Sequence, residues 1–329
     1  MFVNAHTHLY SALVAFGMPA PAEPPRTFVE ILQRIWWRLD RALDPPSIAA
    51  SARHYVAHAR ADGTAALVDH HESPGFIEGS LDLLADACAE FGMPALLCYG
   101  ATERNGGREE ARRGLAECRR FITANRRPHV AGLVGLHASF TVSDDTIREA
   151  GELCRELGTV LHVHLAEDGA DVEDATRRGY DGPLERLIAL DALPAGSILA
   201  HGVHLTRDQV RLASSLGCWF VQNPRSNRQN RVGYPASLDA AARVALGTDG
   251  FASNMRAEAR ALDESSAEAG EPFGVVAGRL AAGWRMMEER LGAGRAALEA
   301  AASGEVPAAA LDEVDARARE QAARLWARW

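Results

Sequence analysis

The chain has 329 residues, 47% of them hydrophobic and 24% charged, which is a globular composition long enough for one large α/β domain. Its formal net charge of −9 argues against a nucleic-acid-binding surface, so we expect no nucleic-acid partner. No run of about 18 apolar residues occurs, which argues against a transmembrane helix and a membrane partner.

The cysteine and lysine content restricts the location and the reactions that the protein can have. Five scattered cysteines without a C-x-x-C motif favour a reduced protein, and the first residues resemble a strand rather than a signal peptide. We therefore expect a cytoplasmic location. The sequence contains no lysine, since all 35 basic residues are arginine, so no lysine can form a Schiff base or, once carbamylated, bridge two metal ions.

Eight short apolar segments follow one another along the chain, and most are continuous rather than alternating, as expected for strands covered on both faces. They lie at residues 2–6, 65–69, 94–99, 130–137, 159–164, 197–201, 218–222 and 243–248. Helical patterns separate them at residues 80–91, 108–124, 144–157, 182–192 and 206–216. Repeated alternation of strand and helix predicts a (β/α)8 TIM barrel. An open doubly wound sheet is the alternative, but no glycine-rich phosphate loop follows the first strand.

Two further segments extend this pattern. A helix is predicted at residues 27–43 in the long connection after the first strand, where it would cover the carboxyl-terminal mouth of the barrel. Its Trp36 and Trp37 fit core and lid packing better than a stacking platform, although Trp36 is also a candidate substrate contact. We expect a barrel over residues 1–290 and a helical extension over 291–329, packed on the barrel or on a partner, with homo-oligomerisation left open.

Histidines gather at the predicted strand ends. His6 and His8 point to the same face of the first strand and could meet one metal ion, although an isolated pair is equally consistent with two half-buried strand histidines. Of the twelve histidines, only His54, His58 and His129 lie away from a strand end. Active sites of such barrels form at that face, so this clustering favours a metal centre there.

Seven short motifs in this order over residues 1–255 carry a resemblance to a known family. They are His-Thr-His at 6–8, Trp-Trp-Arg-Leu-Asp at 36–40, Asp-His-His at 69–71, His-Leu-Ala-Glu at 164–167, Ala-His-Gly-Val-His-Leu at 200–205, Asn-Pro-Arg-Ser-Asn at 223–227 and Gly-Thr-Asp-Gly at 247–250. The chain resembles the amidohydrolase superfamily, in particular its atrazine chlorohydrolase-like and aminohydrolase branch. Within that branch it is most similar to aminohydrolases of the SsnA type.

The resemblance implies one divalent transition metal ion per chain, zinc first and iron as the alternative. The implied ligands are His6, His8, His164 and Asp249, with an open position for water. His162 shares a face with His164, but the spacing to Glu167 favours His164 as the ligand.

The resemblance also implies catalytic roles. Glu167 would shuttle the proton, Asp249 would accept the proton of the water, and His201 would hydrogen-bond the developing oxyanion. The other implied substrate contacts are His70, His71, His137, Asn223, Arg225 and Asn227. For Arg225 a structural ion pair is an equal alternative, and one of the two adjacent histidines could instead support a ligand.

The ends of the chain depart from the family pattern. Members usually add a small β-sandwich built from segments before and after the barrel, whereas here the tail is helical, so we expect no β-sandwich domain. The leading hypothesis is a metal-dependent hydrolase of a small molecule that cleaves a C–N bond, most simply by deaminating a nitrogen heterocycle or cyclic amidine. Amide or ring-opening hydrolysis, or displacement of another leaving group, is the alternative chemistry. A metal-binding protein without catalysis is the alternative class, and the presence of both Glu167 and Asp249 disfavours it.

Overall fold

The computed structural model describes residues 1–272 and 274–329, and its centre is a barrel of parallel strands. The strands are β1 Phe2–Thr7, β2 Thr64–His71, β3 Ala95–Ala101, β4 Val130–Gly132, β5 Val134–Ala138, β6 Leu161–Leu165, β7 Ile198–His201, β8 Trp219–Gln222 and β9 Val244–Leu246. Hydrogen-bonded neighbours run β1-β2-β3-β5-β6-β7-β8-β9, with β4 also paired to β3. The strand predicted at 130–137 is thus two short strands that meet at Leu133.

Strands β1 and β9 close the barrel through the residues that follow β9. The amides of Thr248 and Asp249 both donate to the carbonyl oxygen of His6, at 2.9 and 3.0 Å, and Thr7 forms a parallel bridge with Asp249. Closure therefore places Asp249 directly beside the His6–His8 segment. The (β/α)8 prediction is confirmed.

Helices surround the strands and cover one end of the barrel. They are α1 Phe28–Ile31, α2 Trp37–Ala42, α3 Pro45–Ala61, α4 Ser80–Glu90, α5 Gly107–Ala124, α6 Asp144–Leu157, α7 Gly169–Arg177, α8 Pro183–Ala189, α9 Arg207–Ser215, α10 Pro224–Asn230, α11 Met255–Glu268, α12 Val275–Leu291, α13 Arg295–Ala301 and α14 Ala308–Trp326. Short 3-10 helices lie at Leu9–Ala15, Ser139–Thr141 and Ala236–Ala240. No helix in the described part of the chain is long and apolar enough to cross a membrane.

The predicted helix at 27–43 exists as one continuous helical segment with an irregular middle. A π-helix, Leu32–Trp36, joins α1 to α2. An extra residue in a helical turn rotates the side chains that follow it, and such turns are frequent at functional sites. Here the segment brings Trp36 and Trp37 to the carboxyl-terminal mouth of the barrel.

Two buried clusters divide the apolar side chains of the strands. Leu67 belongs to a cluster shared with α3, α4 and α14, whereas the next residue, Val68, belongs to a cluster with Trp284 and Met287 of α12. Successive strand residues point to opposite faces, so continuous apolar runs serve both clusters. The C-terminal helix α14 packs on α3, so the helical tail lies against the outer layer of the barrel itself.

Candidate metal centre and substrate cavity

Four side chains meet at the carboxyl-terminal ends of the strands. Nε2 of His8 lies 2.8 Å from Oδ1 of Asp249 and 3.3 Å from Nε2 of His164. Nε2 of His6 lies 3.4 Å from the same Asp249 oxygen. One ligand atom from each of the four residues falls within 4.8 Å of the others, and all four residues are buried. The four ligands predicted from the sequence are therefore brought together in space.

Two of these imidazoles are oriented by backbone carbonyl groups. Nδ1 of His8 donates to the carbonyl oxygen of His70 at 2.5 Å, and Nδ1 of His164 donates to that of His137 at 2.6 Å. A histidine that donates from Nδ1 presents the lone pair of Nε2 to a metal ion. Both rings are therefore held in the tautomer that a ligand requires.

The third imidazole is held by another histidine. Nδ1 of His6 lies 3.0 Å from Nε2 of His162, and Nδ1 of His162 lies 3.6 Å from Sγ of Cys98. With Nε2 of His6 aimed at the centre, its Nδ1–H donates to His162. His162 is thus placed behind His6, and the group of converging ligand atoms contains His164 but not His162.

The donor set fits a divalent transition metal ion. Nε2 of His6 is buried and has no hydrogen-bond partner among the described residues, which leaves its lone pair available. Three imidazole nitrogens with one carboxylate match the ligand chemistry of zinc and, with less selectivity, of iron. Buried polar atoms without partners are costly, so an ion that accepts this lone pair would stabilise the arrangement.

The pKa values of the candidate ligands also favour metal binding. Burial lowers the pKa of His6 to about 3, so this imidazole is neutral. Burial would also lower the pKa of His8, but its hydrogen bond to Asp249 and the charges of Glu72 and Asp249 raise it to about 9. Burial acts to raise the pKa of Asp249, yet the neighbouring His6 and His8 side chains hold it well below its ordinary value. Without a metal ion, a proton on His8 neutralises Asp249, and metal binding would release that proton.

Beside the ligands lie the two other predicted catalytic residues. Nε2 of His201 is 3.5 Å from Oε2 of Glu167 and 4.0 Å from Oδ2 of Asp249. Asn227 holds the opposite ring nitrogen, since Nδ1 of His201 lies 3.0 Å from its Oδ1. Nε2 of His201 is buried without a partner among the described residues, so it is free to meet a reacting atom.

Unusual backbone conformations occur where these side chains begin. His201 has a φ of 74° and Asp249 a φ of 53°, both in the left-handed region that non-glycine residues seldom adopt. Ala166, immediately before Glu167, has a φ of 50°. Such conformations cost free energy and cluster at functional sites, where the surrounding structure maintains them. Here they turn the chain at three strand ends, and the Glu167 and Asp249 side chains line the cavity described below.

Glu167 is poised to exchange a proton near neutral pH. Burial raises its pKa to about 7, with the nearby charge of Asp249 acting in the same direction and His201 opposing it. Nδ2 of Asn230 donates to Oε1 of Glu167 at 3.1 Å and to Oγ of Ser226 at 3.3 Å, and that hydroxyl donates to Oδ2 of Asp249. Ser226 and Asn230 were not predicted as site residues from the sequence. Their i, i+4 spacing on one helical face after β8 is the signal that could have found them.

A cavity of about 630 Å³, including its mouth, opens in front of this centre. Apolar and aromatic side chains form one part of its wall, namely Phe28, Leu32, Trp36, Trp37 and Phe140. Tyr10, Asp40, Glu72 and Arg104 form a polar part. The cavity thus combines an aromatic wall, a polar wall and the candidate metal centre, as small-molecule sites usually do.

The polar wall contains buried charges with unused hydrogen-bonding capacity. Nη2 of Arg104 donates to Oδ2 of Asp40 at 2.8 Å, and the Arg104 guanidinium stacks over the Trp37 ring. Oδ1 of Asp40, Nη1 of Arg104 and Oε2 of Glu72 have no hydrogen-bond partner among the described residues. A ligand that supplies both donors and acceptors would complete these bonds. Asp40, Glu72 and Arg104 were not predicted as site residues, although Asp40 closes the Trp-Trp-Arg-Leu-Asp motif and Glu72 directly follows His71.

The predicted substrate contacts fall into three groups. Trp36 and His137 line the cavity. Asn223 and Asn227 lie behind His201, with Asn223 Nδ2 at 3.5 Å from its Nδ1. The other three predicted contacts are hydrogen-bonded to protein groups. His70 bonds to Glu72 and the Leu136 carbonyl, and His71 bonds to Ser73. Arg225 bonds to Glu258 and the Ala252 carbonyl. Arg225 therefore forms the ion pair that was its structural alternative, and direct substrate roles for His70, His71 and Arg225 find no support in these contacts.

The fold and the site together define the class of the protein. It is a parallel barrel with a candidate catalytic metal centre at its strand ends, where three imidazoles and a carboxylate meet beside a buried glutamate. The sequence model of the amidohydrolase family matches residues 2–276. The chain belongs to the amidohydrolase family, as its motifs predicted.

Three similar proteins illustrate the relationship. The 5-methylthioadenosine/S-adenosylhomocysteine deaminase of Thermococcus sibiricus is 30% identical over 260 residues, which cover 77% of this chain and 58% of that protein. The 8-oxoguanine deaminase of Pseudomonas aeruginosa is 27% identical over 269 residues, covering 77% and 59%. The crystal structure of an adenosine deaminase from Xanthomonas campestris with bound zinc superposes with a TM-score of 0.74 at 23% identity, covering 88% of this chain and 66% of that one. The chain therefore spans less than two thirds of the length of these curated relatives.

Proposed function

We propose that the protein is a metal-dependent hydrolase that deaminates a nitrogen heterocycle and releases ammonia. One observation carries this proposal: three of the four convergent candidate ligands line the same cavity as the buried carboxyl of Glu167. A metal centre next to a proton donor is what hydrolysis of an exocyclic C–N bond requires. Two of the sequence relatives are named as deaminases of adenosine derivatives and of 8-oxoguanine, which supports the same reaction class.

The proposed centre holds one ion, zinc first and iron as the alternative, through His6, His8, His164 and Asp249. Such an ion would act as a Lewis acid and lower the pKa of water.

The protein groups then divide the proton transfers between them. Asp249 accepts the proton of the attacking water through its carboxylate, which the Ser226 hydroxyl orients. Glu167 delivers a proton to the ring nitrogen, and His201, when it carries a proton on Nε2, hydrogen-bonds the oxygen on which charge develops. Asp249 then passes the proton of the water to the exocyclic amino group, the C–N bond breaks and ammonia leaves. The remaining hydroxyl proton returns to Glu167 as the ring carbonyl forms.

The cavity wall indicates the substrate class. Trp36, Trp37 and Phe140 offer aromatic faces to a planar ring. Asp40 and Glu72 can accept hydrogen bonds from hydroxyl or amino groups, and Arg104 can donate to an oxygen. A purine, or a purine nucleoside whose sugar reaches the polar wall, satisfies both parts.

The test measures ammonia release from a panel of adenine nucleosides, 8-oxoguanine, guanine, pterins and hydantoin-like rings. We expect turnover of at least one purine compound by the wild type. Glu167→Gln should retain the bound metal and lose turnover by 10²-fold or more. Glu173→Gln, on the exposed face of α7, is the matched control and should leave both unchanged.

Four outcomes would contradict parts of this proposal. Ring opening without ammonia would favour the amide-hydrolase alternative, and release of another leaving group would favour displacement. Metal binding without turnover of any ring would favour the non-catalytic class. Unchanged turnover in Glu167→Gln would remove Glu167 from the mechanism.

We also propose a cytoplasmic location. All five cysteines are buried and unpaired, as is usual in a reducing compartment. Fractionation of the native host should find the protein there with its thiols free.

A further inference from the structure

A second group of potential ligands lies on the outer layer of the barrel. His54 and His58 are four residues apart on α3, so both side chains project from the same face of that helix. Asp315 of α14 faces them: its Oδ1 lies 2.7 Å from Nε2 of His58 and 3.2 Å from Nε2 of His54. This cluster joins two helices and shares no residue with the barrel centre.

The geometry of the cluster suits a metal ion. One ligand atom from each of the three residues lies within 4.8 Å of the others. Ligand atoms about 2.1 Å from one tetrahedral ion are separated by about 3.4 Å, so small side-chain movements would suffice to bind one. The ring of Phe16 packs edge-on against His54 at a centroid distance of 5.0 Å, which holds that imidazole in place.

Electrostatic repulsion disfavours a metal-free cluster in which both histidines are protonated and paired with Asp315. The two imidazole rings are only 4.4 Å apart, so protonating both would place two positive charges side by side. A single divalent ion instead accepts a lone pair from each neutral ring and neutralises the carboxylate. The His58 and Asp315 side chains are 40% and 32% exposed, so an ion from solvent can reach the cluster and water can complete its coordination.

We propose that His54, His58 and Asp315 form a second metal site that binds a divalent first-row transition ion and ties α14 to α3. The nitrogen and oxygen donors select zinc, cobalt or nickel rather than calcium or magnesium. The bound ion reinforces two ion pairs between the same parts of the chain, Arg53 with Glu313 at 3.1 Å and Arg328 with Asp44 at 2.8 Å. Its role is to hold the C-terminal helix, independently of the reaction in the barrel.

The experiment counts zinc ions after equilibrium dialysis of the full chain against micromolar ZnCl₂. We expect two ions in the wild type and one in His54→Gln/His58→Gln. One ion should also remain in His6→Ala/His8→Ala, which removes the barrel ligands, so failure of the barrel centre and failure of this site give different counts. His129→Asn alters a histidine outside both sites and should keep two.

Thermal unfolding adds a second readout. Excess zinc should raise the midpoint of His6→Ala/His8→Ala, which retains only the helical site, by at least about 3 °C. The same zinc should leave the midpoint of the variant lacking all four histidines unchanged. If His54→Gln/His58→Gln does not fold, Asp315→Asn replaces it, since that change keeps the shape and removes the charge. Equal zinc counts in the wild type and in a folded helix variant would overturn the proposal.

Discussion

Nδ1 of His6 lies 3.0 Å from Nε2 of His162, and both imidazoles are fully buried. The pair is separated by 156 positions in the sequence and joins the first strand to the fifth barrel position. Since His6 reaches the candidate metal centre through its other nitrogen, His162 determines both the tautomer and the orientation of a ligand.

Replacing His162 by Ala should weaken metal binding by about 10–100-fold, the usual cost of losing a partner behind a ligand. The buried Nδ1–H of His6 would lose its acceptor. Competition with a chromophoric zinc chelator would measure the change. His162→Gln is the matched control, because its amide oxygen can still accept the bond and should recover part of the affinity. Equal affinities in the wild type and a folded Ala variant would contradict a role for His162.

Activity should fall as the pH rises through neutrality. The pKa of Glu167 is raised to about 7 by burial, so its protonated, proton-donating form is lost above that value. A plot of log kcat/KM against pH should therefore bend downward near pH 7 with a limiting slope of about −1. The residual activity of Glu167→Gln should lack this bend, because an amide does not titrate in that range. A bend that persists in the Gln variant would assign the ionisation to another group.

Removing Asn230, the hydrogen-bond partner of Glu167, should shift the pH at which log kcat/KM bends downward. The amide of Asn230 donates to Oε1 of Glu167 and thereby favours the ionised carboxylate. In Asn230→Ala the carboxylate loses this bond, its pKa rises, and the alkaline limb should shift to higher pH. Gln229→Ala alters the exposed neighbour on the same helix and should leave the profile in place. A shift to lower pH would show that Asn230 does not act on Glu167 in this way.

The Asp40–Arg104 pair should be costly to break. Both side chains are at least 95% buried, so Arg104→Met leaves the Asp40 carboxylate without its cation. We expect a loss of about 3–5 kcal/mol in the free energy of unfolding, measured by urea denaturation. Arg113→Met breaks the exposed pair with Glu78 and should cost no more than about 1 kcal/mol. Comparable losses in the two variants would argue against a buried pair.

Kinetics would show whether the same pair contacts substrate. Asp40→Asn keeps the shape of the side chain and a hydrogen-bonding oxygen, so a rise in KM there with little change in kcat would indicate substrate binding at the polar wall. If KM stays unchanged while only stability falls, the pair is structural.

Gly247 allows the barrel to close beside the metal centre. A Cβ at this position would lie 2.6 Å from Oδ1 of Asn223 and 2.8 Å from the backbone nitrogen and oxygen of His6. Gly247→Ala should therefore cost about 1–3 kcal/mol of stability and weaken zinc binding by displacing His6. Gly169→Ala is the control, since its added methyl group meets no atom within 4 Å. Wild-type stability and zinc affinity in Gly247→Ala would refute this packing argument.

Several elements of the fold were not recognisable in the sequence. The patterns predict no helix at α3, α7, α10 or α11, yet these four form. Helix α3 carries His54 and His58, α7 carries Asp171, and α10 carries Asn230. In α3, the polar side chains Arg53 and His58 contact α14. The face of this helix that packs on α14 therefore includes polar residues, and the apolar periodicity that would reveal the helix in the sequence is weak.

The sequence by itself determined the barrel and the identity of the converging residues. Continuous apolar runs mark strands covered on both faces, and parallel strands in a closed barrel deliver their carboxyl ends to one rim, where the histidines gather. The family resemblance then selected His6, His8, His164 and Asp249 as the candidate ligands among them. Only the tertiary structure decided which ring nitrogen faces the centre and which side chains surround the substrate cavity. Those outcomes depend on contacts between distant positions, such as Asp40 with Arg104, whose distance and burial no local pattern encodes.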